Sequence, residues 1–328
     1  LVGSEMCIRD RNICDAVADL QDLRFSGEAV DVTQFSQYIF PAFRRLVGMP
    51  SETSWPCSEP FKDAVVEQWT QEAARIAGRW LQEQLISGER LKANPESAVA
   101  IRLAWALERT AIAFAEAEQH LREDELKLLA AGVVRASHAV KPSTERLSEA
   151  VTEVIGGLGD PHCGHHTVLR IDFTEGRRVI YRPRAMDSDA AMMQITDRLG
   201  FPRAPRCITS ADHGWSEYIT DVEESERPAV AYWHAAGQWL ALGHVLAGTD
   251  FHFGNFLAAE GLPTLIDMET LFQPELGLWE TQNEQRFNQT VLRVGLLPHR
   301  IVKGADWVET GLIRQRTAKG AKFPFPVP

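Results

Sequence analysis

The sequence of 328 residues is short of long hydrophobic runs and of cysteine. No segment reaches the roughly eighteen consecutive apolar residues that a membrane-spanning helix requires. The five cysteines are scattered, and none belongs to a Cys-x-x-Cys pair. This usage argues against a disulfide framework, and we expect a reduced, cytoplasmic environment and no membrane span.

Positive charge is also in short supply. Lys and Arg number 34 against 45 Asp and Glu, which gives a formal net charge of −11. A general nucleic-acid-binding domain usually carries a basic face, so we expect no nucleic-acid partner. An acidic average still permits a local basic channel for a nucleotide. The remaining composition, 45% hydrophobic and 24% charged, is that of a globular protein with a sizeable core.

Helical spacing dominates residues 58–140. Ser58 as cap and Pro60 in the first turn predict one helix start, and Asn94-Pro95 predicts another. Residues 123–140 are expected to continue as helix. Apolar residues recur at helical spacing and predict a buried face. The residues assigned to this face are Phe61, Val65, Trp69, Ile76, Trp80, Ile101, Trp105, Ile112 and Phe114.

Strand character begins after Gly156-Gly157, where β-branched residues alternate with polar ones. The predicted strands cover 166–173, 177–182, 213–220, 255–258 and 263–266, the last two forming a hairpin around Glu260-Gly261. The predicted helices cover 187–199 and 228–247. We assign Trp215 and Trp239 to the core and read the acidic run 221–226 as a solvated loop.

The segment Thr249–Thr270 carries the chemistry. An apolar helix ends at Gly248, Asp250 and Asn255 follow with four residues between them, and a hairpin leads to Asp267. In protein kinases an Asp accepts the substrate hydroxyl proton, an Asn holds Mg²⁺, and a later Asp bridges the metals to the phosphates. Any one of these residues alone is more often a turn cap. Together they predict phosphoryl transfer with Mg²⁺, which prefers such oxygen ligands.

Five motifs occur in a fixed order between about residues 155 and 275. They are Gly159-Asp160-Pro161-His162, Tyr181-Arg182-Pro183-Arg184, His213–Ile219, Ala247–Asn255 and Asp267-Met268-Glu269-Thr270. This part of the chain resembles the dehydratase domain of class II (LanM-type) lanthipeptide synthetases. Members of that family phosphorylate Ser and Thr of a precursor peptide and then eliminate the phosphate.

The resemblance implies an α+β, lipid-kinase-like bilobal fold with a mainly helical N-terminal region and an incomplete C-lobe. It implies ATP and Mg²⁺ as cofactors, and a ribosomal precursor peptide with leader and core as partner. Zinc is expected only in a cyclase domain outside this sequence. By motif, the catalytic residues are Asp250, His252, Asp160 and His162, the cofactor-binding residues are Arg182 and Arg184, and the metal-binding residues are Asn255, Asp267 and Glu269.

The predicted organisation has four parts. Residues 1–11 resemble a translated sequencing adaptor and are expected to be a non-native leader. A helical region over 12–150, a β-rich N-lobe over 151–225 and the start of a C-lobe over 226–328 follow. We expect the chain to be truncated at both ends and inactive by itself.

Two other functions stay open. The family has Lys where Arg182 stands, and a guanidinium does not replace an ammonium at a phosphate site, which favours an impaired module that binds nucleotide or leader peptide. A kinase for another substrate is the third possibility. Arg184 is open between a phosphate contact and a solvated strand end. We do not expect a metal site at His162, His165 and His166, because structural zinc sites draw ligands from separated pairs.

Overall fold

The computed structural model describes residues 57–69, 71–72, 98–136, 146–159, 164, 166–200, 203–221, 229–272, 282–297, 299–303, 306–310 and 312. The predictions for the leader, for Ile76 and Trp80, and for Asp160, His162 and His165 lie outside these residues. The chain divides into a first unit, Leu1–Leu126 with Ala136–Pro183, and a second unit, Lys127–Arg135 with Arg184–Pro328. The domain ranges expected from the sequence stay predictions.

Helix α1 covers 59–69 and begins after Ser58, as expected. The Ser58 carbonyl accepts from the amides of Phe61 and Lys62 at 3.1 and 3.0 Å. The predicted side-chain cap is wrong, because the buried Ser58 Oγ has no hydrogen-bond partner among the described residues. The Ser58 amide instead donates to Glu118 Oε2 at 2.9 Å. A buried glutamate therefore holds the start of α1.

Helix α2 covers Ala98–Ala131 and ends before residue 140, to which the sequence predicted it to continue. Its predicted start at Asn94-Pro95 lies outside the described residues. Gly132 stops it, with φ at 64° in the left-handed region that glycine adopts without strain. The amide of Val133 then donates back to the Leu128 carbonyl at 3.2 Å, as in a Schellman ending. The two-residue strand β1, Arg135–Ala136, follows.

The buried face of α2 differs from the predicted one. Trp105 and Ile112 are 48% and 40% exposed, so their assignment to the core is wrong. The Arg109 guanidinium lies over the Trp105 ring, 5.8 Å from its centroid, and gives the ring a polar partner. The buried apolar residues of this helix in the first unit are Ala106, Leu107, Ala113, Phe114, Ala117 and Leu121. Trp69 of α1 is fully buried, as predicted.

Three antiparallel strands complete the described part of the first unit. Strand β2 covers Val151–Ile155, β3 covers Leu169–Phe173, and β4 covers Arg177–Arg182. In the β3–β4 register Ile171 lies opposite Val179, and both side chains are buried. Strand β4 has the predicted bounds. The sequence did not indicate β2.

The second unit alternates helices with strand pairs. Its helices are α3 (Asp187–Leu199), α4 (Ala229–Val245) and α5 (Gln282–Asn288). Its strand pairs are β5 (Cys207–Thr209) with β6 (Gly214–Glu217), β7 (Phe256–Ala259) with β8 (Leu262–Leu265), and β9 (His299–Lys303) with β10 (Asp306–Thr310). Helix α3 has the predicted bounds. No helix in the described ranges combines the length and apolarity needed to cross a membrane.

The core of the second unit lies between α4 and the β7–β8 hairpin. Trp239 of α4 is 1% exposed, and its ring meets Phe256 edge-on at 6.2 Å. Its indole Nε1 donates to the Pro263 carbonyl of β8 at 2.8 Å. The predicted burial of Trp239 is confirmed, as is that of Trp215. This packing fixes the hairpin on α4, the helix that precedes the Thr249–Asn255 loop in sequence.

Candidate active site

The loop after α4 is anchored by Phe251. This ring is fully buried and packs edge-on against Phe256, 6.0 Å between centroids. The Phe251 amide donates to the Val294 carbonyl at 2.8 Å. Asp250 has φ at 64°, a left-handed conformation that Asp tolerates better than most residues. With its neighbour held in the core, Asp250 extends toward solvent with 57% of its side chain exposed.

Asp250 is held by two other residues of the same loop. Asn255 Nδ2 donates to the Asp250 carbonyl at 3.0 Å and to the carboxylate Oδ2 at 3.2 Å. His252 Nε2 lies 3.4 Å from the other carboxylate oxygen, Oδ1. The structure thus brings together three residues that the sequence predicted to act together.

The orientation of His252 is fixed by Gly254. The Gly254 amide donates to His252 Nδ1 at 3.0 Å, so the neutral ring carries its proton on Nε2, the nitrogen that faces Asp250. A Cβ at Gly254 would lie 2.8 Å from His252 Cε1 and would displace the ring. Glycine at this position therefore leaves room for the ring.

The β7–β8 hairpin brings the second acidic motif to the loop. Its turn residues Glu260 and Gly261 both have positive φ, 51° and 81°, as a two-residue type I′ turn requires. The pairing continues past the strand ends, since the Ile266 amide donates to the Asn255 carbonyl at 2.9 Å. Asp267 therefore follows directly on the residue that is paired with Asn255.

A further bond ties the two motifs. Thr270 Oγ1 donates to the Thr249 carbonyl at 2.5 Å. The two ends of the segment that the sequence singled out are thus joined, with Asp250 and Asn255 on one side and Asp267 and Glu269 on the other. The hairpin prediction is confirmed, with strand bounds shifted by one residue.

Arg184 lies among three carboxylates of the second unit. Its Nη1 donates to Asp189 Oδ2 at 3.1 Å, its Nη2 donates to Asp267 Oδ1 at 3.1 Å, and its Nε lies 3.3 Å from Glu269 Oε2. Only 24% of the Arg184 side chain is exposed. The alternative in which Arg184 merely solvates a strand end is therefore wrong. We call these four residues the Arg184 cluster.

The charges of the cluster act on Arg184. Burial by itself would lower the pKa of the guanidinium. The carboxylates of Asp189, Asp267 and Glu269 outweigh burial and raise the pKa above the ordinary arginine value. Arg184 is a permanent cation at this position.

The donor set of the loop and hairpin fits a hard divalent cation. Asp250, Asp267 and Glu269 supply carboxylate oxygens, and Asn255 supplies an amide oxygen because its nitrogen is used by Asp250. Oxygen ligands of this kind are the ones that Mg²⁺ takes. No sulfur or imidazole cluster typical of structural zinc occurs among these residues.

The remaining predictions concern Arg182, His166 and the acidic run. Arg182 ends β4 in the first unit and is 7% exposed. His166 lies 2.7 Å from Glu116 Oε2, a simple pair. Asp221, the first residue of the acidic run, accepts from the Ala258 amide at 2.7 Å and so supports the hairpin instead of only solvating a loop. The roles predicted for Asp160 and His162 stay predictions.

Asp189 is the residue of the Arg184 cluster that the sequence analysis missed. It belongs to the first turn of α3, where acidic residues are common because they complement the helix dipole. In the structure Asp189 is 5% exposed, whereas an acidic residue serving only the dipole usually stays in solvent. Sequence alone gives no such burial.

The Asp250 loop, joined to the Asp267–Glu269 motif by the Thr270–Thr249 bond, is the candidate site. Residues 98–327 match the family described as "Domain of unknown function (DUF4135)". The match covers more than half of the chain, and the chain belongs to this family.

A curated relative is the "Lacticin 481/lactococcin biosynthesis protein LcnDR2" of Lactococcus lactis subsp. lactis, to which the chain is 25% identical over 161 residues. The alignment covers 43% of this chain and 17% of that protein. The resemblance to class II lanthipeptide synthetases is thereby confirmed.

Proposed function

We propose that this chain carries the nucleotide and metal residues of a lanthipeptide dehydratase, which uses ATP and Mg²⁺ to phosphorylate Ser and Thr of a precursor peptide and then eliminates the phosphate. The observation that carries the proposal is the Asp250 carboxylate, held by Asn255 and His252 next to the Asp267–Glu269 motif. We infer with it the lipid-kinase-like bilobal fold. The relative in lacticin 481/lactococcin biosynthesis supports a peptide substrate.

Asp250 orients the acceptor. Its carboxylate accepts the hydrogen bond of the substrate hydroxyl and takes the proton as the hydroxyl oxygen attacks the γ-phosphorus. The bond from that phosphorus to ADP breaks. Asn255 and His252 keep the carboxylate in place, because each approaches a different oxygen of it.

Asn255, Asp267 and Glu269 would hold Mg²⁺. The ion would supply neutralisation of the phosphate charge when bound. The β7–β8 hairpin and the Thr270–Thr249 bond tie together the segments that carry these residues. In the second step the phosphate leaves and the Cα proton is lost to a base, which gives dehydroalanine from Ser or dehydrobutyrine from Thr.

A second candidate function is a module that binds nucleotide or leader peptide without turnover. Two observations favour it: Arg182 stands where the family has Lys, and the Arg184 guanidinium is bound to two of the expected metal ligands. A kinase for another substrate shares the same residues and differs only in retaining the phosphate on its product.

The experiment uses the full-length protein encoded by the gene, with ATP, Mg²⁺ and its precursor peptide, and follows peptide mass. We expect loss of one water per modified Ser or Thr. Asp250→Asn keeps the size and the left-handed backbone, and we expect it to slow the reaction about a hundredfold or more, as for loss of a general base. Asp197→Asn, at an exposed position of α3, is the control and should react normally.

Each mass change separates the candidates. Added phosphate without water loss favours a kinase that does not eliminate. Bound nucleotide with no mass change favours the binding module, and restoring Lys at position 182 should then raise activity. Water loss that persists in Asp250→Asn would contradict the assigned role of this carboxylate.

A further inference from the structure

The Arg184 cluster contains a residue that supports the expected metal site without belonging to it. We propose that Arg184, itself held by Asp189, is a positioning residue that fixes the Asp267 and Glu269 carboxylates for the divalent cation. This inference rests on the proposed function, because it assumes that Asp267 and Glu269 bind the metal. It adds two residues, neither of which is one of the expected metal ligands.

The guanidinium contacts each of the three carboxylates through a different nitrogen. Nη1 faces Asp189 at 3.1 Å, Nη2 faces Asp267 at 3.1 Å, and Nε faces Glu269 at 3.3 Å. A guanidinium is planar and rigid, so three partners on its three nitrogens are fixed relative to one another. A lysine ammonium has one nitrogen and cannot impose this spacing.

The three carboxylates of the cluster differ in how far they are exposed to solvent. Asp189 is nearly enclosed, with 7% of its side chain exposed, whereas Asp267 and Glu269 are 32% and 46% exposed. The enclosed carboxylate belongs to a formed helix, α3, and so is the fixed end. Arg184 also donates through Nη1 to the Ala185 carbonyl at 3.1 Å. The guanidinium is thus anchored on the protein side and presents its other nitrogens to the two more exposed carboxylates.

Asp267 is fixed in orientation as well as in place. Its Oδ1 accepts from Arg184 Nη2 and also from the Glu269 amide at 3.4 Å. Two donors on one oxygen restrict rotation of the carboxylate. Without Arg184, the like charges of Asp267 and Glu269 would repel each other, and binding a cation would require both side chains to be ordered anew. Residues behind a metal ligand typically contribute tenfold to a hundredfold in metal affinity.

The test measures metal binding directly in the full-length protein. Mn²⁺ is the probe, because its unpaired electrons report free and bound ion separately by electron paramagnetic resonance, and Mg²⁺ is then used in competition. We expect Arg184→Gln to raise the dissociation constant for Mn²⁺ at least about tenfold. Arg203→Gln is the matched control: Arg203 pairs with Glu217 at 3.0 Å in the same unit and should leave metal affinity unchanged.

Two more variants separate positioning from charge and from folding. Asp189→Asn should weaken Mn²⁺ binding severalfold although Asp189 gives the metal no ligand, and Arg184→Lys should restore less than half of the lost affinity. The double variant Arg184→Gln with Asp189→Asn leaves no uncompensated buried carboxylate, so it should fold even where the single variant is unstable. We expect it to bind Mn²⁺ as weakly as Arg184→Gln.

Metal affinity equal to or tighter than that of the natural protein in the double variant would overturn the inference, because Arg184 would then compete with the cation. Full affinity in Arg184→Lys would overturn it as well, because charge alone would suffice. If the natural protein binds no Mn²⁺, the proposed function fails together with its site. If the natural protein binds and the variants match it, only the role of Arg184 fails.

Discussion

Two groups of ionised side chains, one in each unit, are built in opposite ways. In the first unit, Asp172 accepts from Arg170 at 2.8 Å and from Arg178 at 3.2 Å, and Arg170 also reaches Glu153 at 3.2 Å. These four residues, the Asp172 network, stand on strands β2, β3 and β4, where the register places Asp172 opposite both Glu153 and Arg178. Two guanidinium groups thus match two carboxylates on neighbouring strands.

The Arg184 cluster has one guanidinium for three carboxylates. Its members come from the chain after β4, from α3 and from the segment after β8, so no single element sets their spacing. Like charges brought together in this way repel one another unless cations accompany them. The charges of the Asp172 network are balanced on a sheet, whereas the excess of carboxylates in the Arg184 cluster is what the proposed cation would neutralise.

The largest expected effect comes from removing one carboxylate from each group. Asp267→Asn should weaken Mn²⁺ binding by more than the roughly hundredfold seen for residues behind a ligand, and it should change the free energy of unfolding little. Asp172→Asn should do the reverse and lower the free energy of unfolding by about 2 kcal/mol, since it weakens charged hydrogen bonds. Chemical denaturation measures the free energy of unfolding of both variants, and Mn²⁺ titration measures their metal affinity.

The contrast fails if either variant changes the quantity expected of the other. An Asp172→Asn variant that loses metal binding while still folded would make the Asp172 network part of the site. An Asp267→Asn variant that loses only stability would make the Arg184 cluster a structural one.

A smaller effect is expected at Gly254, where backbone fit and not charge holds the site. Gly254→Ala places a Cβ 2.8 Å from His252 Cε1, so the ring must shift away from the backbone amide that donates to its Nδ1. We expect turnover of the full-length protein to fall about tenfold, the value of one lost hydrogen bond. Mn²⁺ affinity should change less than in the Arg184 variants.

Gly237→Ala is the matched control for this change. A Cβ at Gly237 meets no atom within 4 Å, and the residue lies inside α4. The substitution should raise the free energy of unfolding by up to about 1 kcal/mol, as alanine favours helix, and leave turnover unchanged. Equal losses of turnover in both glycine variants would contradict the assigned role of Gly254.

Local signals in the sequence predicted much of the fold. Helix α3 and strand β4 have the predicted bounds, because a turn or proline marks their ends, and the Glu260-Gly261 turn identified the hairpin. Asp250 and Asn255 are close in sequence, so their contact followed from spacing. The end of α2 at Gly132 was missed because the apolar pattern continues beyond it.

Long-range contacts were not predictable from spacing. Arg184 and Asp267 are 83 positions apart, and neither periodicity nor composition relates them. The buried face of α2 was misassigned for a related reason: Trp105 is apolar enough for the core, yet its pairing with Arg109 allows it to remain exposed. Whether such a side chain is buried depends on the residues that contact it in the fold. Asp189 was missed because the motifs that identified the family do not include it.

The smallest expected effect tests a third ion pair, Glu125 with Arg146, which resembles the Asp172 network in matching its charges. Burial raises the pKa of Glu125, but hydrogen bonds from Arg146 and Ser148 outweigh it, so the pKa is lowered below its ordinary value. The stability from this pair is therefore present above the unfolded-state pKa of about 4.3 and is lost as pH falls through the lower folded-state value.

Because 59% of the Arg146 side chain is exposed, solvent screens the pair, and we expect only a small loss of stability. Denaturant unfolding at pH values from about 6 to about 3 gives the free energy of unfolding as a function of pH. The loss is the difference between the slopes of this function for the natural protein and for Glu125→Gln. Glu108→Gln, at an exposed position of the same helix, should keep the natural slope. If the free energy of unfolding of Glu125→Gln depends on pH as that of the natural protein does, the Arg146 pair adds no pH-dependent stability. A matched ion pair at a half-exposed site would then be neutral for folding.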